Sequence, residues 1–216
     1  ESPRQELFRR LNTAPGGTAA LVAMRREVLS SIKARPEWKS IDSDLEHLFG
    51  SWFNRGFLTL ERIDWYTPAI VLEKLIEYEA VHEIAGWDDL RRRLAADRRC
   101  FAFFHPALPH EPLIFIEVAL VKGMSAAIEP LLALDAPQLD PQNADTAIFY
   151  SISNCQRGLD GISFRAADVS SEAFNRPGGW VPERQAAWAQ PSSRWARRCR
   201  GARSWWSWRS SVGERS

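Results

Sequence analysis

Residues 147–164 read AIFYSISNCQRGLDGISF, and the fold turns on this stretch. Ala147 to Ser153 is a run of β-branched and aromatic residues, a strand that ends in two hydroxyls, Ser151 and Ser153. A polar segment follows from Asn154 to Arg157, then two glycines three residues apart, Gly158 and Gly161. Such a strand-to-loop unit lets backbone come close to a ligand. Its amides can converge on a pyrophosphate, best where a helix starts directly afterwards. Arg157 would add charge-assisted hydrogen bonds to phosphate. The same pattern describes an ordinary turn, so at this level both readings stand.

Outward from that strand, Cys100 to Phe104 reads as a short aromatic strand and Leu113 to Val121 as a longer apolar one, joined by a turn through His105-Pro106 and Glu111-Pro112. Continuous apolarity in the second implies burial on both faces. Its single polar residue, Glu117, reads as a satisfied buried carboxylate or an edge position, with a raised pKa as the sharper alternative. Ile128, Leu131 and Leu132 form an amphipathic stretch before the third strand, which makes the segment an α+β layer with a mixed sheet.

Residues 1–98 read as helical. One helix is expected from Thr18 to about Arg35, with Leu21, Met24, Val28 and Ile32 as its apolar stripe and Pro36 as its stop. Ser43 and Glu46 have capping-box spacing ahead of Leu45, Leu48, Phe49 and Trp52. Thr67-Pro68 looks like a cap with proline in the first turn, before Val71, Leu72, Leu75 and Ile76. Trp87, Leu90 and Leu94 mark a short helix whose Arg91-Arg92-Arg93 run, with Arg98 and Arg99 beyond, reads as a solvated face or else a phosphate clamp.

The chain has 216 residues and a net charge of +1, so its overall balance argues against nucleic acid or an anionic membrane as partner. No apolar run reaches the ~18 residues a spanning helix needs. The N-terminus lacks signal-peptide character. Cys100, Cys155 and Cys199 are far apart and odd in number, which fits free thiols in a reducing compartment, by default the cytoplasm. These averages hide a break near residue 165. From Arg165 to Ser216 there are ten Arg, no Lys and four acidic residues, with six of the ten tryptophans but no Leu, Ile, Met or Tyr. So few aliphatic residues cannot interdigitate a dense core. Out-of-frame reading of a GC-rich gene yields this composition. A basic aromatic arm for single-stranded nucleic acid is the functional alternative. Residues 165–216 are expected to be a disordered tail.

Several motifs, in order, carry a resemblance. They are LNTAPGG (11–17), SDLEHLFGSWFNRGFLTLERIDW (43–65), YEAVHEI (78–84), EPLIFIEVAL (111–120), and the match of Phe149 to Ser153, Gln156, Gly158, Leu159 and Gly161 to a run of the form FYSIS-x-x-Q-x-GL-x-G. Over residues 8–164 the chain resembles malonyl-CoA decarboxylases. The resemblance implies a helical assembly domain over 1–65 and part of an acetyltransferase-like, CoA-binding catalytic domain over 66–164. It implies conversion of malonyl-CoA to acetyl-CoA and CO2 without a cofactor, since a thioester carbonyl can itself hold the charge of the enolate. Homo-oligomers through the N-terminal helices are also implied. Ser151 would line the acyl pocket, Ser153 would belong to the substrate or coenzyme A site, and the loop with Asn154, Gln156, Arg157, Gly158, Leu159, Gly161 and Ser163 would take the pyrophosphate. Some family members have an acidic residue at the position of Ser163.

After Phe164 the family's helix, its Leu-Ser-Pro segment with the catalytic serine and its later partner histidine have no counterpart in the sequence. No catalytic residue is therefore assigned, and a truncated, inactive form is expected. A CoA-binding module without chemistry and a structural fragment that joins full-length subunits are the alternatives. His47, His82, His105 and His110 read as structural or solvent-exposed, and no pair has metal-motif spacing.

Overall fold

A computed structural model describes residues 2–125, 127–162 and, as backbone, 186–188. Three helices come first, α1 (Pro3–Asn12), α2 (Gly17–Ser31) and α3 (Lys39–Trp52). Their apolar sides meet through Phe8, Leu21, Val22, Leu45, Leu48 and Phe49. The start of α3 corrects the expected capping box. Pro36 opens a single 3₁₀ turn, Pro36–Trp38, that feeds straight into the helix, so Ser43 lies in its interior and caps nothing.

The chain enters its sheet early. Strand β1 (Thr59–Ile63) lies inside the stretch read as helical. It is a five-residue edge strand with two buried residues, Leu60 and Ile63, too short to show a clear alternation. Helices α4 (Ala69–Tyr78) and α5 (Trp87–Arg93) follow. Thr67 does not cap α4, because its hydroxyl accepts the Asp64 amide and closes the turn before the helix.

Strands β2 (Arg98–Phe104), β3 (Ile114–Val121) and β4 (Thr146–Asn154) occupy the three segments read as strands, and the short helix α6 (Glu129–Leu132) precedes β4. The order is β1-β2-β3-β4-β5, antiparallel up to β4. Strand β5 (Ala186–Trp188) then runs parallel to β4, with Ala147 opposite Ala186 and Phe149 opposite Trp188. Apart from these three residues, the segment expected to be a disordered tail lies outside the described residues.

The register sorts side chains between two faces. Leu60, Phe101, Phe103, Ile116, Val118, Leu120 and Phe149 share one, with Leu139 and Ala144 packed against them. On the other, α4 and α5 lay Val71, Leu72, Leu75 and Leu90 over Ile63, Cys100, Ala102 and Phe115. Where β3 meets β4 the ladder slips. Glu117 faces Ser151 but Val118 faces Phe149, which leaves Tyr150 as the extra residue of a β-bulge. Helices α1–α3 pack at the end of the sheet, against Leu108, Leu113 and Ile114 from the β2–β3 turn and Leu159 and Ile162 beyond β4.

The arginine run of α5 is solvated only at Arg91. Arg92 and Arg93 are buried: Arg92 makes a two-pronged bond to Asp97 at 2.8 and 3.2 Å, and Arg93 pairs with Asp89 and Glu117. No described helix is long and apolar enough to cross a membrane.

Candidate functional site

Beyond β4 the chain makes a tight turn. Its 3₁₀ segment, Arg157–Leu159, is closed by Leu159 N–H to Gln156 O at 2.8 Å and Ile162 N–H to Leu159 O at 3.0 Å. Gly161 has φ +82°, a left-handed conformation that favours glycine. With Leu113, Asn154, Gln156, Leu159, Asp160 and Ile162 it lines a small, shallow, partly open cleft.

The two glycines do different work. Gly161 faces open space, where an added Cβ would come no nearer than 3.6 Å to Glu46. Gly158 is pressed on α2, and a Cβ there would meet the Val22 carbonyl oxygen at 2.1 Å. The sequence presents both as ligand-approach glycines, but for Gly158 the neighbour is a helix. Its side of the turn is also gripped by Arg25, whose guanidinium donates to Gly158 O at 2.9 Å and Asp160 O at 2.8 Å while paired with Asp42 at 2.8 Å.

Gln156 is held by Glu111 at 3.2 Å and Pro112 O at 3.4 Å, and Glu111 in turn pairs with Lys74 of α4. Asn154 and Arg157 are exposed. Leu159 is buried among the N-terminal helices. Burial pushes the Asp160 carboxyl above its ordinary range, with Arg25 and Arg157 pulling the other way. Ser163 lies outside the described residues.

Ser151 and Ser153 stand apart from this cleft, buried beneath the end of α4. The Ser151 hydroxyl lies 3.0 and 2.8 Å from the two carboxylate oxygens of Glu79 and 3.5 Å from the Ser153 hydroxyl. Glu79 Oε1 also accepts the amides of Val81 and His82, which fastens the segment after α4 over the strand. Beside it Arg93 bonds to Asp89 at 2.9 Å and to Glu117 at 3.0 Å. Burial pushes the Glu117 carboxyl up to about 8, against the pull of Arg93 and with the push of Glu79. The phenol of Tyr150 is buried, and among the described residues it has no hydrogen-bond partner.

Sequence reasoning missed Arg25, Lys74, Glu79 and Glu111. The only signal for Glu79 was its place in the YEAVHEI motif, and nothing local distinguished Arg25 from an exposed helical arginine. Of the histidines, His82 and His105 are half-buried. His47 and His110 are exposed. His105 accepts the Ala107 amide at Nδ1 and lies 3.1 Å from the Trp52 carbonyl at Nε2, so Nε2 donates and the ring is neutral. Burial lowers its pKa accordingly. No group of metal-binding side chains occurs among the described residues. Cys100 and Cys155 are buried free thiols.

Residues 1–53 match the malonyl-CoA decarboxylase N-terminal domain and residues 56–169 the C-terminal domain. The chain belongs to the malonyl-CoA decarboxylase family. It is 40% identical over 169 residues to the mitochondrial malonyl-CoA decarboxylase of Anser anser anser, which covers 74% of the chain, and 36% identical over 163 residues to that of Mus musculus, which covers 72%. The chain spans 33% of the length of each of these two relatives. Among solved malonyl-CoA decarboxylases, that of Rhodopseudomonas palustris has 59% identity and a TM-score of 0.76, over 82% of this chain and 44% of that one. The Agrobacterium vitis structure has 50% identity and a TM-score of 0.80, over 94% and 50%. The family boundary falls at residues 53–56, so β1 goes with the sheet domain.

Proposed function

We propose that this member of the malonyl-CoA decarboxylase family carries the coenzyme A-binding part of a site for malonyl-CoA and acetyl-CoA, on an acetyltransferase-like sheet. One observation carries the reading: the glycine turn leaves the C-terminal end of β4 and lines an open cleft with Gly161 at φ +82°. In doubly wound sheets ligands bind outside the carboxyl ends of parallel strands, and here, in a sheet otherwise antiparallel, the turn leaves that end of β4 beside its parallel neighbour β5. Asn154, Gln156, Arg157, Leu159 and Gly161, with Ser163 beyond, are assigned to the diphosphate end. Gly158 shapes the turn, and Ser151 and Ser153 back the acyl end. The free thiols of Cys100 and Cys155 suit the cytoplasm.

Decarboxylation breaks the bond between the malonyl methylene and its carboxylate, and the electron pair passes into the thioester as an enolate. Catalysis then requires a donor at the enolate oxygen and a proton for the carbon. The described residues supply neither at the cleft; the resemblance places them in a Leu-Ser-Pro segment and a later histidine, neither of which is matched within residues 1–216. Each such group is typically worth ~10²-fold or more. The chain is therefore expected to bind coenzyme A weakly and to release CO2 from malonyl-CoA more than about tenfold more slowly than a version extended with those segments, a gap of at least ~1.4 kcal/mol in barrier. Calorimetric titration with coenzyme A and a CO2-release assay test both halves. Binding that is tight and indifferent to Gly161→Val, or turnover matching the extended version, would refute it.

A further inference from the structure

We propose that Arg25, 133 residues before the glycine turn, is a positioning residue that aims the Gly161 amide at an anionic ligand in the cleft. The ligand is the one assigned above, the diphosphate of a coenzyme A thioester, so this role depends on that reading.

Arg25 is 2% exposed, in the middle of α2, with α3 on one side and the turn on the other. Its Nε–H donates to Asp42 at 2.8 Å, which fixes the guanidinium plane. A single nitrogen, Nη1, then reaches the carbonyls of both Gly158 and Asp160. A buried guanidinium is costly unless its donors are matched, and removing its partners leaves an uncompensated charge, so both carbonyls are held firmly.

The consequence follows from peptide geometry. A trans peptide unit is planar, with its C=O and N–H pointing in opposite directions. The Asp160 carbonyl and the Gly161 N–H belong to one unit. With that carbonyl drawn toward α2, the Gly161 N–H is turned away from α2, and Gly161 lines the open cleft. Among the described residues this amide has no acceptor, whereas those of Leu159, Asp160 and Ile162 are spent within the turn. The close contact of Gly158 with Val22 and the packing of Leu159 and Ile162 on the helices remove the remaining freedom of the turn. The helical layer thus presets one donor of the diphosphate site, and an amide fixed beforehand loses no entropy when the ligand arrives.

The test uses the whole chain, coenzyme A as titrant, and amide hydrogen exchange resolved to Leu159 and Ile162, whose amides are bonded within the turn. Arg25→Lys keeps the charge and the Asp42 partner but replaces the planar fork with one ammonium that cannot hold a carboxylate and two carbonyls together. Coenzyme A affinity is expected to fall about tenfold, the worth of one aligned charge-assisted hydrogen bond. Exchange at Leu159 and Ile162 should speed up severalfold while β2 and β3 stay protected, a selectivity that a general loss of stability would not produce. Unchanged loop exchange overturns the positioning role, and so does a loosened loop with undiminished affinity. If Arg25→Lys does not fold, Asp42→Asn frees the other anchor of the guanidinium. Faster exchange confined to the same two residues then supports the role, and no change overturns it. If the unaltered chain does not bind coenzyme A, the reading of the cleft fails, while the exchange arm still decides whether Arg25 holds the turn.

Discussion

Phe101 and Cys100 are neighbours in β2, yet one meets Ile116 across the ladder and the other meets Glu117. That step of one residue separates two kinds of interior. The Phe101 side is mainly apolar, with Arg62 and Arg99 on the same face, and area removed from water dominates its stability, a force without direction. The Cys100 side holds Glu117, Ser151 and Ser153 under Glu79, Asp89 and Arg93, where each group depends on its partner. The first interior should yield gradually to substitution, and the second abruptly and in a pH-dependent way.

Removing Arg93 should break the contrast most sharply. Arg93→Met leaves Asp89 and Glu117 buried without a cation, at a cost of about 3–5 kcal/mol. Urea unfolding at pH 5 and pH 9 should show the greater loss at high pH, where the carboxyls are charged. An equal loss at both would mean that Arg93 contributes packing alone.

Glu117→Gln is expected to act through the slope of stability with pH. A folded-state pKa of about 8, above the ordinary 4.5, means that the folded protein holds this proton more tightly than the unfolded chain. The resulting stability is fully present below pH 4.5 and is lost as pH rises through 8. Glu117→Gln should flatten the profile across that window, by on the order of a few kcal/mol. His105 works the other way: its lowered pKa gives stability above its ordinary pKa of 6.5 that is lost as pH falls. An acid limb that survives in Glu117→Gln and shrinks in His105→Phe, with the remainder left to His82, would separate the two. The smallest effect belongs to the apolar face. Ile116→Val should cost about 0.5–1.5 kcal/mol, the same at every pH. A pH-dependent cost there would show that the two interiors are coupled through β3.

Much of this was legible in the sequence, and the misses share a cause. The strands β2 to β4 were plain because runs such as IFIEVALV have both β propensity and continuous apolarity. The turn after β4 was legible from its glycines, and Gly161 has the positive φ that such a glycine permits. Arg92 and Arg93 were misread because charge is normally solvated, and only the distant Asp97 and Glu117 make their burial tolerable. The packing of Gly158 on α2 was not legible because its neighbour, Val22, lies far away in sequence. β1 was missed because an edge strand of five residues carries little pattern of its own. Local periodicity reports which residues are apolar. It does not report which polar residue will find a partner from another part of the chain.

The bulge at Tyr150 has a consequence for parity. Strand residues normally alternate sides, odd against even, from end to end. In β4 that count restarts: Phe149 lies on the apolar side, while Tyr150 and Ser151 both turn to the side of Glu117. Ser151 and Ser153 thus lie under Glu79, and Ile152 lies with the apolar residues. In a regular strand of the same nine residues, both hydroxyls would turn into the apolar layer and Ile152 would lie under the carboxylate. Deleting Tyr150 would preserve the sides of everything after it, whereas deleting Ile152 would reverse Ser153 and the exit toward the turn. The strand therefore tolerates loss of a residue at one position and not two positions later, a difference set by counting rather than by chemistry.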